Sequence, residues 1–73
     1  MIYIREHFND PESVTISVDG LLTKESVQTL KEIILHHMEE VKAVSVNLKK
    51  VNHISREGKA VLREFEDKIT LIY

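Results

Sequence analysis

The chain contains no cysteine, and only two glycines and one proline in 73 residues. Without cysteine there is neither a disulfide scaffold nor a zinc ribbon to hold a small fold together, and the redox compartment is left open. Stability must come from one hydrophobic core, near the lower size limit at which a core suffices. No apolar run approaches the roughly 20 residues that cross a bilayer. Arg5, Glu6 and Asp10 interrupt the amino terminus before a signal-peptide core develops. With glycine and proline scarce, and no low-complexity tract or internal repeat, the chain is expected to be ordered almost throughout. An excess of one charge sign is also missing: ten basic and twelve acidic residues give a formal charge of −2. That excludes the basic footprint of a general nucleic-acid binder. The expectation is one domain, residues 1–73, soluble and cytoplasmic, with neither nucleic acid nor membrane as a partner.

What is present is alternation. Val14, Ile16 and Val18 face one way and Thr15, Ser17 and Asp19 the other, as in a strand buried on one side only. Met1 to Ile4 reads as a short strand before it, and His7 to Ser13, with the turn signal Asn9-Asp10-Pro11, returns the chain toward Val14. Gly20 ends the second strand. Thr23 caps a helix, with Glu25 in its first turn complementing the dipole. At about 100° per residue, Val27, Leu30, Ile34, Met38 and Val41 fall in one stripe, which predicts an amphipathic helix from Lys24 to about Val41. Ala43 to Leu48 is the next strand, Val44, Val46 and Leu48 inward and Ser45 and Asn47 outward, and the short link KKVNHI follows. Ser55 caps a second helix whose inward stripe is Gly58, Val61, Leu62 and Phe65. Lys68 to Tyr73 closes the chain as a strand.

The order is β-β-α-β-α-β, an α/β fold. Right-handed crossovers with a strand order moving in one direction place both helices on one face of a four-stranded mixed sheet. Period-2 polarity in the strands agrees, because a sheet covered on both faces reads as unbroken apolar runs. The opposite face, with Tyr3, Thr15, Ser17, Ser45, Asn47 and Thr70, is expected to be largely wet, Ile72 being its apolar exception. Gly58 on an inward stripe reads as close packing, since a side chain there would push the second helix away from the sheet or from the first helix.

VTISVDGLL followed by TKESVQTL, then VSVNL, KKVNHI and SREG followed by KAVL, resembles the pattern of STAS domains, the family of bacterial anti-sigma-factor antagonists and the cytoplasmic tails of sulfate transporters. The resemblance covers nearly the whole chain in order and spacing. In that pattern the third strand carries an Asp and the second helix opens on Asp-Ser-Ser-Gly. Asn47 stands here for the strand Asp, Ser55 for the Asp of the motif, Arg56 for the serine that a partner kinase phosphorylates, and Glu57 for the second serine. Gly58 alone is retained. Arginine cannot accept a phosphate, so the resemblance implies a regulatory module whose phosphorylation switch is missing at Arg56, with Ser55 left as a helix cap. STAS domains continue past their last strand into a further helix, so the resemblance also implies a patch near Tyr73 that is bare or covered by a second copy.

Arg56, Lys59 and Arg63 lie within about 60° of one another on the outer side of the second helix. With Lys49 and Lys50 in the preceding link, a basic patch is expected around its amino end. A cation at a helix amino end is unfavourably placed, and a bound carboxylate or phosphate would relieve the conflict. A solvated face balanced by Glu57, Glu64 and Glu66 is the competing reading. The first helix has the opposite sign outside, in Glu25, Glu32, Glu39 and Glu40, which suits self-association through the two helices and suits solubility equally.

The four histidines do not make a metal set. His36 and Glu40 share a helix face with Glu32, but that face points away from every other element. His37 lies at the edge of the apolar stripe and packs there. His7 and His53 are in links, and His53 stands near enough to the second helix to contact an anion. No nucleophile, base and orienter occur together, and no glycine-rich phosphate loop is present, so the chain does not read as an enzyme. The reading is a non-enzymatic protein-interaction module without cofactor or metal, whose contact surface is Lys49, Lys50, His53, Ser55, Arg56, Lys59 and Arg63. Its partner is a protein with an acidic surface. A small-anion or nucleotide-binding domain built on Ser55, Arg56 and His53, and a structural homodimer, are the alternatives.

Overall fold

In the computed structural model, which describes residues 2–73, the chain runs β1 (Ile2–Asp10), β2 (Ser13–Leu22), α1 (Lys24–Glu40), β3 (Ala43–Ile54), α2 (Arg56–Phe65) and β4 (Thr70–Ile72). The strands lie in the order β1-β2-β3-β4. β1 pairs antiparallel with β2, β2 parallel with β3, and β3 parallel with β4. Both helices pack on the face made by Val14, Ile16, Val18 and Leu22 of β2 and Val44, Val46 and Leu48 of β3, all 5% exposed or less. Each such side chain contributes about 1.5–3 kcal/mol relative to leaving it in water. This is the four-stranded mixed sheet with two helices that the patterning predicts.

The strands are longer than the alternation suggests. Met1 lies outside the described residues, but β1 runs on to Asp10 rather than stopping at Ile4. It does so because β2 offers a partner all along it, Ile2 opposite Gly20 and Phe8 opposite Val14. The turn is confined to Pro11 and Glu12, where the Asp10 carboxylate accepts from the Glu12 N–H at 2.7 Å. Nor does Gly20 end β2, which continues to Leu22; its φ of 108° is one that other residues rarely adopt.

The expected link KKVNHI is strand. β3 extends to Ile54 because β2 continues beside it, and the extra length is absorbed by two irregularities of register. Ser17 pairs with Asn47 but Asp19 with Lys50; Gly20 pairs with Val51 but Leu21 with His53. At each place β3 carries one residue more than β2, a β-bulge. The inward residues of β3 are therefore Val44, Val46, Leu48, Val51 and Ile54, with the period lengthening from two to three after Leu48. His7 and His53, read as link residues, are both on strands. At the other end the final strand is shorter than Lys68 to Tyr73, because the N–H groups of Lys68 and Ile69 both donate to the Phe65 carbonyl and close the end of α2 with a turn.

On α1, Thr23 accepts from the Ser26 N–H and Ser26 Oγ accepts from the Thr23 N–H at 2.8 Å, a reciprocal cap. Val27, Leu30 and Ile34 are fully buried, Met38 and Val41 only partly. His37 completes the buried stripe, its Nε2 2.6 Å from Glu6 Oε1 and its ring edge-on to Phe8 at 5.7 Å between centroids. The inner face of β1 thus carries one carboxylate, and it is engaged by the one buried polar side chain of the core.

The outer face is less wet than expected in its centre. Thr15, Ser17, Ser45 and Asn47 are half-buried, while Tyr3 and Thr70 on the flanking strands are exposed. Short side chains on two central strands are shielded by longer neighbours on either side.

Gly58 packs against the end of the sheet rather than against α1. A Cβ there would lie 3.0 Å from Ile54 Cγ2 and 3.2 Å from the Leu22 carbonyl oxygen. Gly58→Ala is expected to stay within about 1 kcal/mol of the parent, the helix-propensity gain of about 1 kcal/mol offsetting the crowding. Gly58→Val, by contrast, loses about 1–3 kcal/mol through overpacking; urea unfolding of both variants measures the difference. A second expectation concerns Glu6→Ala, which strips a buried imidazole of its partner. It should cost about 1 kcal/mol, the low end of the range because Glu6 is half-exposed, and should cost measurably less in a His37→Leu background. Equal losses in the two backgrounds would show that the pair is not coupled.

Candidate functional site

The predicted contact residues come from two adjoining elements. β3 supplies Lys49, Lys50 and His53, and α2 supplies Arg56, Lys59 and Arg63 on the side away from its buried stripe of Gly58, Val61, Leu62 and Phe65. Between them Ser55 is held by its backbone and its side chain. Its N–H donates to the Leu22 carbonyl at 2.9 Å, its carbonyl accepts from the Lys59 N–H at 2.9 Å, and its Oγ accepts from the Gly58 N–H at 3.1 Å. The hydroxyl oxygen therefore caps the helix, as the sequence implies.

His53, Ser55, Arg56, Lys59 and Arg63 come together. With Ile54 and Ala60 they line an open depression of about 550 Å³ that runs from the amino end of α2 along its outer side. No carboxylate lines it. Glu64, one of the acids expected to balance the patch, instead reaches α1, its Oε1 3.7 Å from Lys31 Nζ. Among the described residues no ion pair involves Arg56, Lys59 or Arg63. A smaller hollow of about 260 Å³ adjoins it, lined by Ile54, Lys59, Leu62, Arg63, Glu66 and the exposed Tyr73.

Lys49 and Lys50 do not join this group. They line a separate cleft with Arg5, Ser17, Val18, Asp19 and Asn47. The bulge after Leu48 separates the two sets: it re-aims the pair of lysines at the outer face of the sheet, where a link would have left them free to reach the helix. Arg5 and Asp19 were not among the expected contact residues, and the signal that places them was the three-residue spacing from Leu48 to Val51 and Ile54. The histidines also disperse. His36 pairs with Glu40 at 2.7 Å on the exposed side of α1, and His37 is taken up by Glu6. Among the described residues no three metal-ligating side chains converge.

Solved structures share this architecture. The chain is similar to an antisigma-factor antagonist STAS domain from Rhodobacter sphaeroides, at 13% identity and a TM-score of 0.75, over 97% of this chain and 85% of that one. The fold is that of a STAS domain. The phosphorylated form of SpoIIAA, described as a Bacillus cell fate determinant, matches at 18% identity and a TM-score of 0.69, over 96% of this chain and 70% of that one. An uncharacterised Shewanella loihica protein with a SpoIIAA-like fold matches at 11% identity and a TM-score of 0.67, over 97% of this chain and 65% of that one. No protein-family model matches the sequence, and no curated protein matches it. The STAS likeness is thus one of backbone arrangement. No helix among the described residues is long and apolar enough to cross a membrane.

Because Ser55 Oγ occupies the Gly58 N–H and its backbone ties α2 to β2, Ser55→Ala is expected to lower stability by about 1 kcal/mol. Ser55→Asp, which can cap as well and adds a favourable charge at the helix amino end, should restore it. Thermal unfolding of the two variants distinguishes a capping residue from one whose hydroxyl has no structural role.

Proposed function

We propose that the chain is a non-enzymatic protein-interaction module whose contact surface is the amino end and outer side of α2, and that its partner presents an acidic surface. The observation that carries this reading is the depression bordered by His53, Ser55, Arg56, Lys59 and Arg63, which contains no acid and leaves Arg56, Lys59 and Arg63 without ion-pair partners among the described residues. Guanidinium groups without ion-pair partners beside Ile54, Leu62 and Tyr73 suit an interface, because tryptophan, tyrosine and arginine are enriched among the residues that dominate binding energy. Tyr73, 73% exposed, stands beside that hollow together with Leu62 and Arg63. The likeness in fold to anti-sigma factor antagonists supports a regulatory role of this kind.

Control of the interaction must differ from that of a protein described in a phosphorylated form. Arg56 stands where the family pattern has its phosphorylated serine, and it carries a permanent positive charge into that position. A surface that is basic from the outset selects an acidic partner without a preceding modification, and its association rate falls as salt rises.

Charge reversal provides the test. The triple substitution Arg56→Glu, Lys59→Glu and Arg63→Glu should abolish capture of the partner by the immobilised chain, while reversal of Glu25 and Glu32 on α1 should leave capture intact. Capture by the wild type should also weaken steeply between low and physiological salt. Undiminished capture by the triple variant would remove α2 as the contact surface.

A further inference from the structure

We propose that the outer face of the sheet, away from both helices, carries a binding site for a small zwitterion, an α-amino acid being the simplest member of the class. The site is the cleft lined by Arg5 of β1, Ser17, Val18 and Asp19 of β2, and Asn47, Lys49 and Lys50 of β3. Its two sides are cross-strand rows. Arg5, Ser17 and Asn47 are successive partners in one row, and Tyr3, Asp19 and Lys50 in the next. The bulge between them gives β3 one more residue than β2, so the rows diverge at β3 and a hollow of about 110 Å³ opens. That is roughly four water molecules' share of liquid volume.

The chemistry of the walls is mixed in sign. Arg5, Lys49 and Lys50 supply positive charge, and among the described residues neither lysine has an ion-pair partner. Arg5 approaches Asp19 only loosely, its Nη2 3.9 Å from Oδ2, and remains 67% exposed. An anionic head is what such a set binds. Asn47 Oδ1 accepts from the Lys49 N–H at 3.0 Å, which orients the amide and leaves its NH₂ group as a further donor.

A plain anion does not suit the remaining wall. Asp19 also lines the cleft, its side chain 35% exposed and its Oδ2, at 3.9 Å, beyond hydrogen-bond distance of Arg5. Its negative charge repels a plain anion and attracts a cationic group. An ammonium group close to the ligand's anionic head would donate to Asp19 while the head meets Arg5, Lys49 and Lys50. Both signs of the cleft are then satisfied by one small molecule. The cleft shares no lining residue with the depression at α2.

Titration of the ¹⁵N-labelled chain with glycine, acetate and inorganic phosphate tests this. Glycine should shift the amides of Ser17, Asp19, Asn47 and Lys50, and acetate and phosphate should bind several-fold more weakly. Asp19→Asn should weaken glycine binding about tenfold, the loss of one charged hydrogen bond, and should leave acetate binding equal or stronger. Lys49→Gln with Lys50→Gln, at exposed positions, should weaken all three probes. Arg56→Glu should change none, which separates this site from the proposed partner surface. The proposal is overturned if no probe shifts these amides, if acetate binds as well as glycine, or if Asp19→Asn leaves glycine affinity unchanged.

Discussion

The parallel pairing of β2 with β3 is the constraint from which the other features follow. β2 is one of the two central strands, flanked by β1 on one side and β3 on the other, and its inward residues Val14, Ile16, Val18 and Leu22 are almost completely buried. A parallel pair cannot be closed by a hairpin and requires a crossover, which α1 provides with a matching stripe of Val27, Leu30 and Ile34. The pairing runs to the very end of β2. There the Leu22 carbonyl accepts from the Ser55 N–H, and the same carbonyl oxygen limits what can stand at position 58. The start of α2 is thus placed by the last residue of β2, and both the cap and the glycine of that helix serve the same junction.

The same pairing distributes charge. β3 holds more residues than β2 over the shared length, and the two bulges that absorb the excess divide the basic residues between two surfaces. Lys49 and Lys50 go to the outer face of the sheet beside Arg5 and Asp19, while His53 joins Arg56, Lys59 and Arg63 along the outer side of α2. One continuous basic patch would attract any acidic body. The two separate ones differ in size and in lining.

The fold is that of a STAS domain, and the head of α2 combines a cap, a packing glycine and a cation. Ser55 keeps the helix capped and Gly58 keeps it seated against Leu22 and Ile54. Arg56 brings a cation to the end of a helix where the dipole favours an anion. Packing constraints on Gly58 and Ser55 act on the interior and are indifferent to the charge of Arg56 and Glu57, which face outward. Fold and surface chemistry can therefore change independently at adjacent positions.

Much of this was legible in the order of residues. The element order, the caps Thr23 and Ser55, the inward stripes of both helices and the packing role of Gly58 all follow from local rules of periodicity and hydrogen bonding, which act within a few residues. The extent of β1, β2 and β3 was not, because a strand's length depends on whether a partner lies beside it, and that partner is distant in sequence. Glu6 and His37, thirty-one positions apart, meet for the same reason. The sequence alone determined where the helices begin and which residues of β2, α2 and the first half of β3 face inward. The tertiary structure decided which outward residues share a cleft, since two bulges in β3, defined by its pairing with β2, set the direction of Lys49, Lys50 and His53.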